Sequence, residues 1–264
     1  MHFRSSGSRL FAETLGAGRD LVLLHPTPLD HAFWGPVARE LDGRYRLVLP
    51  DLRGHGRSEA GEGILGMARF AGDIEELLKH LSIERALFAG CSIGGYVLYE
   101  LWRRAPETIG ALAFCCSKPQ PDAASNRAKR QQTIEGIRLH GAAEFFDQTL
   151  DFLVTAGFRS REPAKTSALR RMMDSMSAEA AIAIQQGLMD RPDSVGTLPS
   201  ISVPVLALAG SDDPASSPQE MQVIPQLLPT AEYHLLPGAG HFAPYEQPRE
   251  VAGLLDEFFS RVEG

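Results

Sequence analysis

The sequence predicts an α/β fold, a mostly parallel central sheet covered by helices on both faces, and two patterns carry that expectation. Short β-rich runs alternate with helical patterns along most of the 264 residues, the arrangement that joins parallel strands through crossover helices. The runs are also apolar almost throughout. Strands buried on both faces need that, because a solvated face would show a polar residue at every second position.

Taken in order, residues 21–24 (Leu-Val-Leu-Leu) and 46–49 (Arg-Leu-Val-Leu) predict the first two parallel strands. Residues 85–89, 110–116 and 203–209 continue the series and residues 233–236 close it. Residues 10–14 alternate and suit an antiparallel edge. Ile74, Leu77, Leu78 and Leu81 fall at i, i+3, i+4 and i+7, the apolar stripe of a helix packed on a sheet. Val251, Leu254, Leu255, Phe258 and Phe259 repeat that stripe after Pro248, a residue suited to a helix's first turn.

Between residues 118 and 198 the alternation stops and helical patterns take over, at 126–140, 142–154, 164–176 and 178–189. We expect one structural domain: a core formed by residues 1–117 and 199–264, with residues 118–198 inserted as a helical cap. An α/β core of this size is ordinary.

Composition narrows the function classes. Hydrophobic residues make up 44% and charged residues 22%, a globular balance. A net charge of −7 offers no clustered cations to a phosphate backbone or an anionic bilayer, so neither nucleic acid nor membrane is expected as a partner. No apolar stretch approaches the roughly 20 residues of a membrane span, and the first residues carry no secretory pattern. Cys91, Cys115 and Cys116 are odd in number and two are adjacent in a strand, which reads as reduced thiols and a cytoplasmic setting. The pattern specifies no oligomeric state.

The strongest motif is Gly90-Cys91-Ser92-Ile93-Gly94, a G-x-S-x-G between a strand ending at Ala89 and a helix running toward Arg104. A sharp strand-to-helix turn strains the backbone at the serine and pushes its hydroxyl outward, while the flanking glycines avoid clashes. The helix start behind it aims N–H groups at any oxyanion that develops there. A serine hydroxyl is a weak nucleophile and needs a base beside it. His241 qualifies, in a glycine-rich loop after the last predicted strand. The base in turn needs a carboxylate to hold its tautomer, and Asp212 or Asp213 can supply it beyond the strand ending at Ala209; local pattern leaves both open. The chain order Ser, Asp, His is the one such an elbow brings with it. After the first strand comes Leu24-His25-Pro26-Thr27-Pro28-Leu29. An oxyanion site there takes one N–H from this loop and one from Ile93, the residue after the nucleophile; prolines have no N–H, which leaves Thr27.

These motifs, in this order, resemble the α/β-hydrolase superfamily along nearly the whole chain, and within it the small bacterial esterases, enol-lactone hydrolases and haloperoxidase-like enzymes. The resemblance aligns the acid with Asp213, and Pro214 favours an extended backbone there. Pro26 stands where the family commonly has glycine. The segment from Asp51 to Ser58, Asp-Leu-Arg-Gly-His-Gly-Arg-Ser, is similar to a turn that is structural in the family. Trp34 corresponds to an aromatic residue of the core. What the resemblance implies is an α/β-hydrolase cleaving a carboxylic ester or lactone through a Ser92–His241–Asp213 triad, a Thr27 and Ile93 oxyanion hole and an acyl-enzyme.

No cofactor is needed for that chemistry, and the histidines and cysteines show no metal-ligand spacing. Serine at the elbow, where dehalogenases and epoxide hydrolases of the family carry aspartate, argues against those reactions. Phe145, Phe146, Met172, Met173, Met176 and Met189 are apolar groups able to cover a sheet-top pocket, with His25 expected beside the substrate. Two other readings accompany this one: perhydrolysis with the same triad, because Thr27-Pro28-Leu29 resembles the Trp-Pro-Leu of perhydrolases, and a ligand-sensing module with slow or no turnover.

Overall fold

The structure is a computed structural model and describes residues 1–262. The chain opens with strands β1 (His2–Ser5), β2 (Ser8–Leu15) and β3 (Arg19–Leu24), helix α1 (Gly35–Glu40), strand β4 (Tyr45–Pro50) and helix α2 (Met67–His80). Strand β5 (Ala86–Cys91), helix α3 (Ile93–Arg104) and strand β6 (Ile109–Cys115) follow. Then come the helices α4 (Ala124–His140), α5 (Ala143–Leu153), α6 (Ala156–Arg161), α7 (Pro163–Met173) and α8 (Ala178–Met189). The chain closes with β7 (Val205–Gly210), α9 (Pro218–Met221), α10 (Val223–Leu227), β8 (Glu232–Leu236), α11 (Ala243–Glu246) and α12 (Pro248–Ser260). No helix among the described residues is long and apolar enough to cross a membrane.

The strands form one sheet of eight in the order β1-β2-β4-β3-β5-β6-β7-β8. β4 to β8 and β3 are parallel; β1 and β2 pair antiparallel at one side. The continuous apolar runs become fully buried strands: Leu21, Val22, Leu23 and Leu24 are all 0% exposed, and every residue of β5, β6 and β7 is buried. α2 and α12 lay the expected stripes on the sheet, with Ile74, Leu77, Leu78, Val251, Leu255, Phe258 and Phe259 buried.

Two expectations change at the sheet edge and in the insertion. Residues 10–14 do pair antiparallel, but the edge is β1, a strand the sequence reading missed. Its signal is the two-residue connection Ser6-Gly7, where both φ angles are positive (45° and 81°), the turn whose twist matches a hairpin. In the insertion, α6 stands where no helix was expected, started by Pro-free residues whose cap is Thr155: its hydroxyl accepts the Phe158 N–H at 3.2 Å.

A buried polar network knits α4, α8 and the segments flanking them together, and one stacking contact joins it to α3. Asp122, just beyond β6, accepts Arg191 Nη1 at 2.6 Å and also pairs with Arg130 of α4. Arg130 donates to Gln185 of α8 at 2.8 Å, and Arg191 donates to the Gln120 carbonyl at 2.7 Å. The Arg191 guanidinium lies over the Tyr96 ring, 4.3 Å from its centroid, which reaches the helix that starts at the elbow. The Asp122 side chain is 2% exposed and that of Arg191 3%, so removing the acid strands a desolvated cation. Asp122→Ala is expected to lose about 3–5 kcal/mol of unfolding free energy in urea titration, with Asp122→Asn recovering part; an unchanged midpoint for Asp122→Ala would show that the network does not hold these helices together.

Candidate active site

Strand order dictates where a site can form. From β3 the chain steps to β4 on one side and later to β5 on the other, so the connections diverge beyond the carboxyl ends of β3 and β5. Leu24 is level with Gly90 in that pair, which brings the loop after β3 and the turn after β5 side by side.

Ser92 occupies that turn with φ 54° and ψ −119°, a left-handed conformation unusual for a residue with a side chain. Its N–H donates to the Cys115 carbonyl at 3.1 Å. Its own carbonyl accepts Gly95 N–H at 3.0 Å, Tyr96 N–H at 3.2 Å and the Ser117 hydroxyl at 3.0 Å. The motif glycines are needed for close approach: a Cβ on Gly94 would overlap the Leu24 carbonyl, and one on Gly90 would overlap the backbone of Gly94. Ser92 keeps 8% exposure at the head of the twelve-residue α3. The Ile93 N–H, in that first turn, has no acceptor among the described residues.

The carboxyl ends of β7 and β8 supply a second pair. His241 Nδ1 lies 2.9 and 2.8 Å from the two carboxylate oxygens of Asp213, and both side chains are buried. A carboxylate only accepts, so Nδ1 carries a proton, and in the neutral ring it is Nε2 that keeps the lone pair. Asp213 is itself held by the N–H groups of Ala215 (2.8 Å) and Ser216 (3.0 Å). Asp212 is exposed and accepts only from the Ser211 hydroxyl beside it. The His241 backbone is fixed as well, its N–H on the Leu153 carbonyl at 3.0 Å and its carbonyl 3.6 Å from Cys91 Sγ. Among the described residues no hydrogen bond joins Ser92 to His241.

Burial keeps the three thiols protonated: Cys91 and Cys116 are pushed well up and Cys115 to about 12. None is a nucleophile in that form.

The loop after β3 corrects one expectation. His25 does not meet a substrate: its ring is 0% exposed, Nδ1 donates to the Pro26 carbonyl at 3.0 Å and Nε2 accepts the Leu52 N–H at 2.9 Å. Burial lowers its pKa despite the nearby Asp51 charge, so it serves as a neutral brace. Thr27, half-buried, has an N–H with no acceptor among the described residues, and its hydroxyl meets His55 Nε2 at 3.0 Å. Trp34 is fully buried in the core. In the insertion, Phe146, Met173 and Met176 are buried, while Phe145, Met172 and Met189 are half-exposed. An open cavity of about 780 Å³ lies between Pro36, Arg39, Lys165, Pro237 and Gln247, and its lining includes none of Ser92, Asp213 and His241.

Residues that sequence reasoning missed support this frame. Asp51 accepts the N–H groups of His31 and Arg57, each at 2.8 Å, and His31 Nδ1 at 2.7 Å. Asp30, His31 and Asp51 bring their ligand-type atoms within 4.8 Å of one another, but Asp51 is spent on these donors and Asp30 caps the Ala32 N–H. Glu246 accepts the Gly240 N–H at 3.2 Å and the Thr155 hydroxyl at 2.5 Å, tying the His241 loop to the insertion.

Comparison with known proteins places this geometry. The family model described as alpha/beta hydrolase fold matches residues 20–248. The pimeloyl-[acyl-carrier protein] methyl ester esterase of Nitrosomonas europaea is 32% identical over 257 residues, covering 92% of this chain and 97% of that protein. A thermophilic esterase from Thermogutta terrifontis, solved with malate bound, superposes with a TM-score of 0.94 at 30% identity, over 100% of this chain and 97% of its own. The enol-lactonase of Burkholderia xenovorans gives 0.93 at 25% identity, over 99% and 100%.

The Asp51–His31 pair sets a pH dependence of stability. Burial works to lower the His31 pKa, but the Asp51 hydrogen bond and charge prevail and raise it. Burial works to raise Asp51, and the His31 hydrogen bond and charge nearby bring it below the usual range. A histidine raised in the folded state contributes fully below its unfolded value, near 6.5, and that contribution is lost as pH climbs through the folded value. Thermal unfolding between about pH 6 and pH 9 is expected to show a falling Tm that His31→Gln flattens; an equal fall in both proteins excludes this pair as its source.

Proposed function

Because the chain belongs to the alpha/beta hydrolase fold family, and is an ester-acting enzyme of the kind its esterase and enol-lactonase relatives are named for, we propose that it hydrolyses a carboxylic ester or lactone through an acyl-enzyme on Ser92. The observation that carries this reading is the buried His241–Asp213 pair set beyond β7 and β8 at the same carboxyl edge of the sheet as the strained turn at Ser92. His241 Nε2 takes the Ser92 proton as Oγ attacks the acyl carbon, and the Thr27 and Ile93 N–H groups receive the oxyanion. The proton then passes to the departing alkoxide, and the C–O bond to it breaks. In the second half-reaction His241 takes a proton from water, which attacks the acyl carbon; the bond from that carbon to Ser92 Oγ then breaks, the acid leaves, and His241 returns the proton to Oγ. The absence of a hydrogen bond between Ser92 and His241 among the described residues is in keeping with a bond that forms only when substrate is present.

Residues 118–198 act in this reading as the cap of a single domain, and the relatives point to small acyl esters and lactones as substrates. The half-exposed Phe145, Met172 and Met189 are the insertion side chains with surface to offer an acyl chain.

Ser92→Ala is expected to abolish both ester turnover and fluorophosphonate labelling with the fold intact; a labelled Ser92→Ala protein would overturn the assignment. Asp213→Asn should lower kcat by about 10⁴, by analogy with the serine-protease acid in whose absence the base sits in the wrong tautomer, and Asp212→Asn far less. The reverse order of losses would move the acid by one residue. Truncating Phe145, Met172 and Met189 together to alanine should shift the preference between short and long p-nitrophenyl acyl esters. An unchanged profile in a folded variant removes these side chains from specificity.

A further inference from the structure

We infer that His55 is a positioning residue for the oxyanion site, holding Thr27 through its hydroxyl so that the Thr27 N–H stays aimed at the reacting carbonyl. The inference rests on the reading of Thr27 as an oxyanion donor and goes beyond it, since the turn that carries His55 had only a structural reading.

The direction of the hydrogen bond follows from the ring's other nitrogen. His55 Nδ1 lies 3.1 Å from the Arg53 carbonyl, which can only accept, so Nδ1 bears the proton. The ring is neutral, because burial, reinforced by neighbouring His25, pushes it down to about 3. Nε2 is therefore an acceptor, and the Thr27 hydroxyl, 3.0 Å away, must donate to it. Thr27 cannot donate that proton elsewhere while this bond stands, so the hydroxyl is an anchor and the N–H is left for substrate.

The loop has few other anchors at this point. Pro26 and Pro28 have no N–H, and the backbone contact across the turn is Leu29 N–H on the Pro26 carbonyl at 3.1 Å, which spans Thr27 without touching it. The His55 side, by contrast, is rigid. Its N–H donates to the Leu52 carbonyl at 2.9 Å, and its ring packs edge-on against His25 with centroids 4.9 Å apart. The neighbouring Arg53 is fully buried, makes a two-point pair with Asp73 of α2 (2.8 and 2.5 Å) and donates to the Ser5 carbonyl at 3.0 Å. A fixed acceptor therefore faces a loop residue whose threonine side chain has few rotamers to explore. Since a misplacement of about 1 Å in a catalytic contact can cost about 10² in rate, such an anchor has a measurable effect.

The test compares Thr27→Val, which removes the hydroxyl and keeps the N–H, with His55→Phe, which keeps a ring and removes the acceptor, with the double variant, and with Ser92→Ala as control. Steady-state hydrolysis of p-nitrophenyl acetate is the readout. Thr27→Val and His55→Phe are each expected to lose about 10- to 100-fold in kcat, with KM within about two-fold, because the oxyanion exists only in the transition state. The double variant should be no slower than the slower single variant, and His55→Gln, which restores an acceptor, should recover part of the loss. If Ser92→Ala still turns over, the underlying reading falls. If Ser92→Ala is dead but Thr27→Val turns over like the parent, or the two losses multiply, or the loss appears in KM alone, the role of His55 falls while that reading stands. Should His55→Phe fail to fold, Thr27→Val decides by itself: a parent-like kcat overturns the anchor and a lowered kcat at constant KM supports it.

Discussion

The left-handed backbone of Ser92 is the constraint on which the rest of the site depends. Such a conformation costs about 1–3 kcal/mol for a residue with a side chain, and several hydrogen bonds offset it: its N–H on β6, and its carbonyl shared between the first turn of α3 and the Ser117 hydroxyl. Relaxing φ would break these together. The glycines at 90 and 94 are thus a consequence of the turn rather than an independent feature, because α3 can begin at Ile93 only if its backbone rests on the Leu24 carbonyl.

Around that turn, four histidines occupy different electrostatic situations, and what separates them is the partner each has. His25 and His55 are buried against carbonyls, an amide and one another, and desolvation keeps them neutral. His31 has a carboxylate on Nδ1 and enough solvent to hold a proton. His241 has the carboxylate and almost complete burial, with Nε2 left unpaired. Only the last combines a fixed tautomer with a free lone pair, which a general base requires. The sequence contains eight histidines, and while a glycine-rich loop after the last strand points to His241, no local pattern separates the roles of His25, His31 and His55.

Strands buried on both faces were legible because their apolar runs admit no other placement, and the elbow because glycine spacing and a strand-to-helix change coincide at one serine. β1 was not, since four residues with alternating burial resemble an unstructured start, and only Ser6-Gly7 betrays the hairpin. The acid was legible to within one residue. Asp212 and Asp213 share the same strand end, and what divides them is that the Asp213 carboxylate turns inward onto the Ala215 and Ser216 amides while Asp212 faces solvent. His55 lay beyond reach because its partner is 28 positions away on a different strand end. His25 misled for the opposite reason: a polar ring at the head of the site loop suggests contact with substrate, whereas its two nitrogens are consumed in joining that loop to the next.

Residues 118–198 share hydrogen bonds with the loop of the proposed base. The Leu153 carbonyl, at the end of α5, receives the His241 N–H, and Glu246 grips Gly240 on one side and Thr155 on the other. Glu246 is buried enough for its pKa to be raised, so this grip rests on a carboxyl poorly served by water and dependent on its two donors. On the far side, Asp122, Arg130 and Arg191 tie α4 to the segment just beyond α8, and Arg191 stacks on Tyr96 one turn beyond Ser92. The helix that carries Phe145 thus ends on the loop of the proposed base, and the segment just after the helix that carries Met189 stacks on the helix of the proposed nucleophile. In the proposed reaction, a change of shape in residues 118–198 that altered the fit of an acyl chain would also move the groups that must meet in the transition state, so selectivity and turnover would change together.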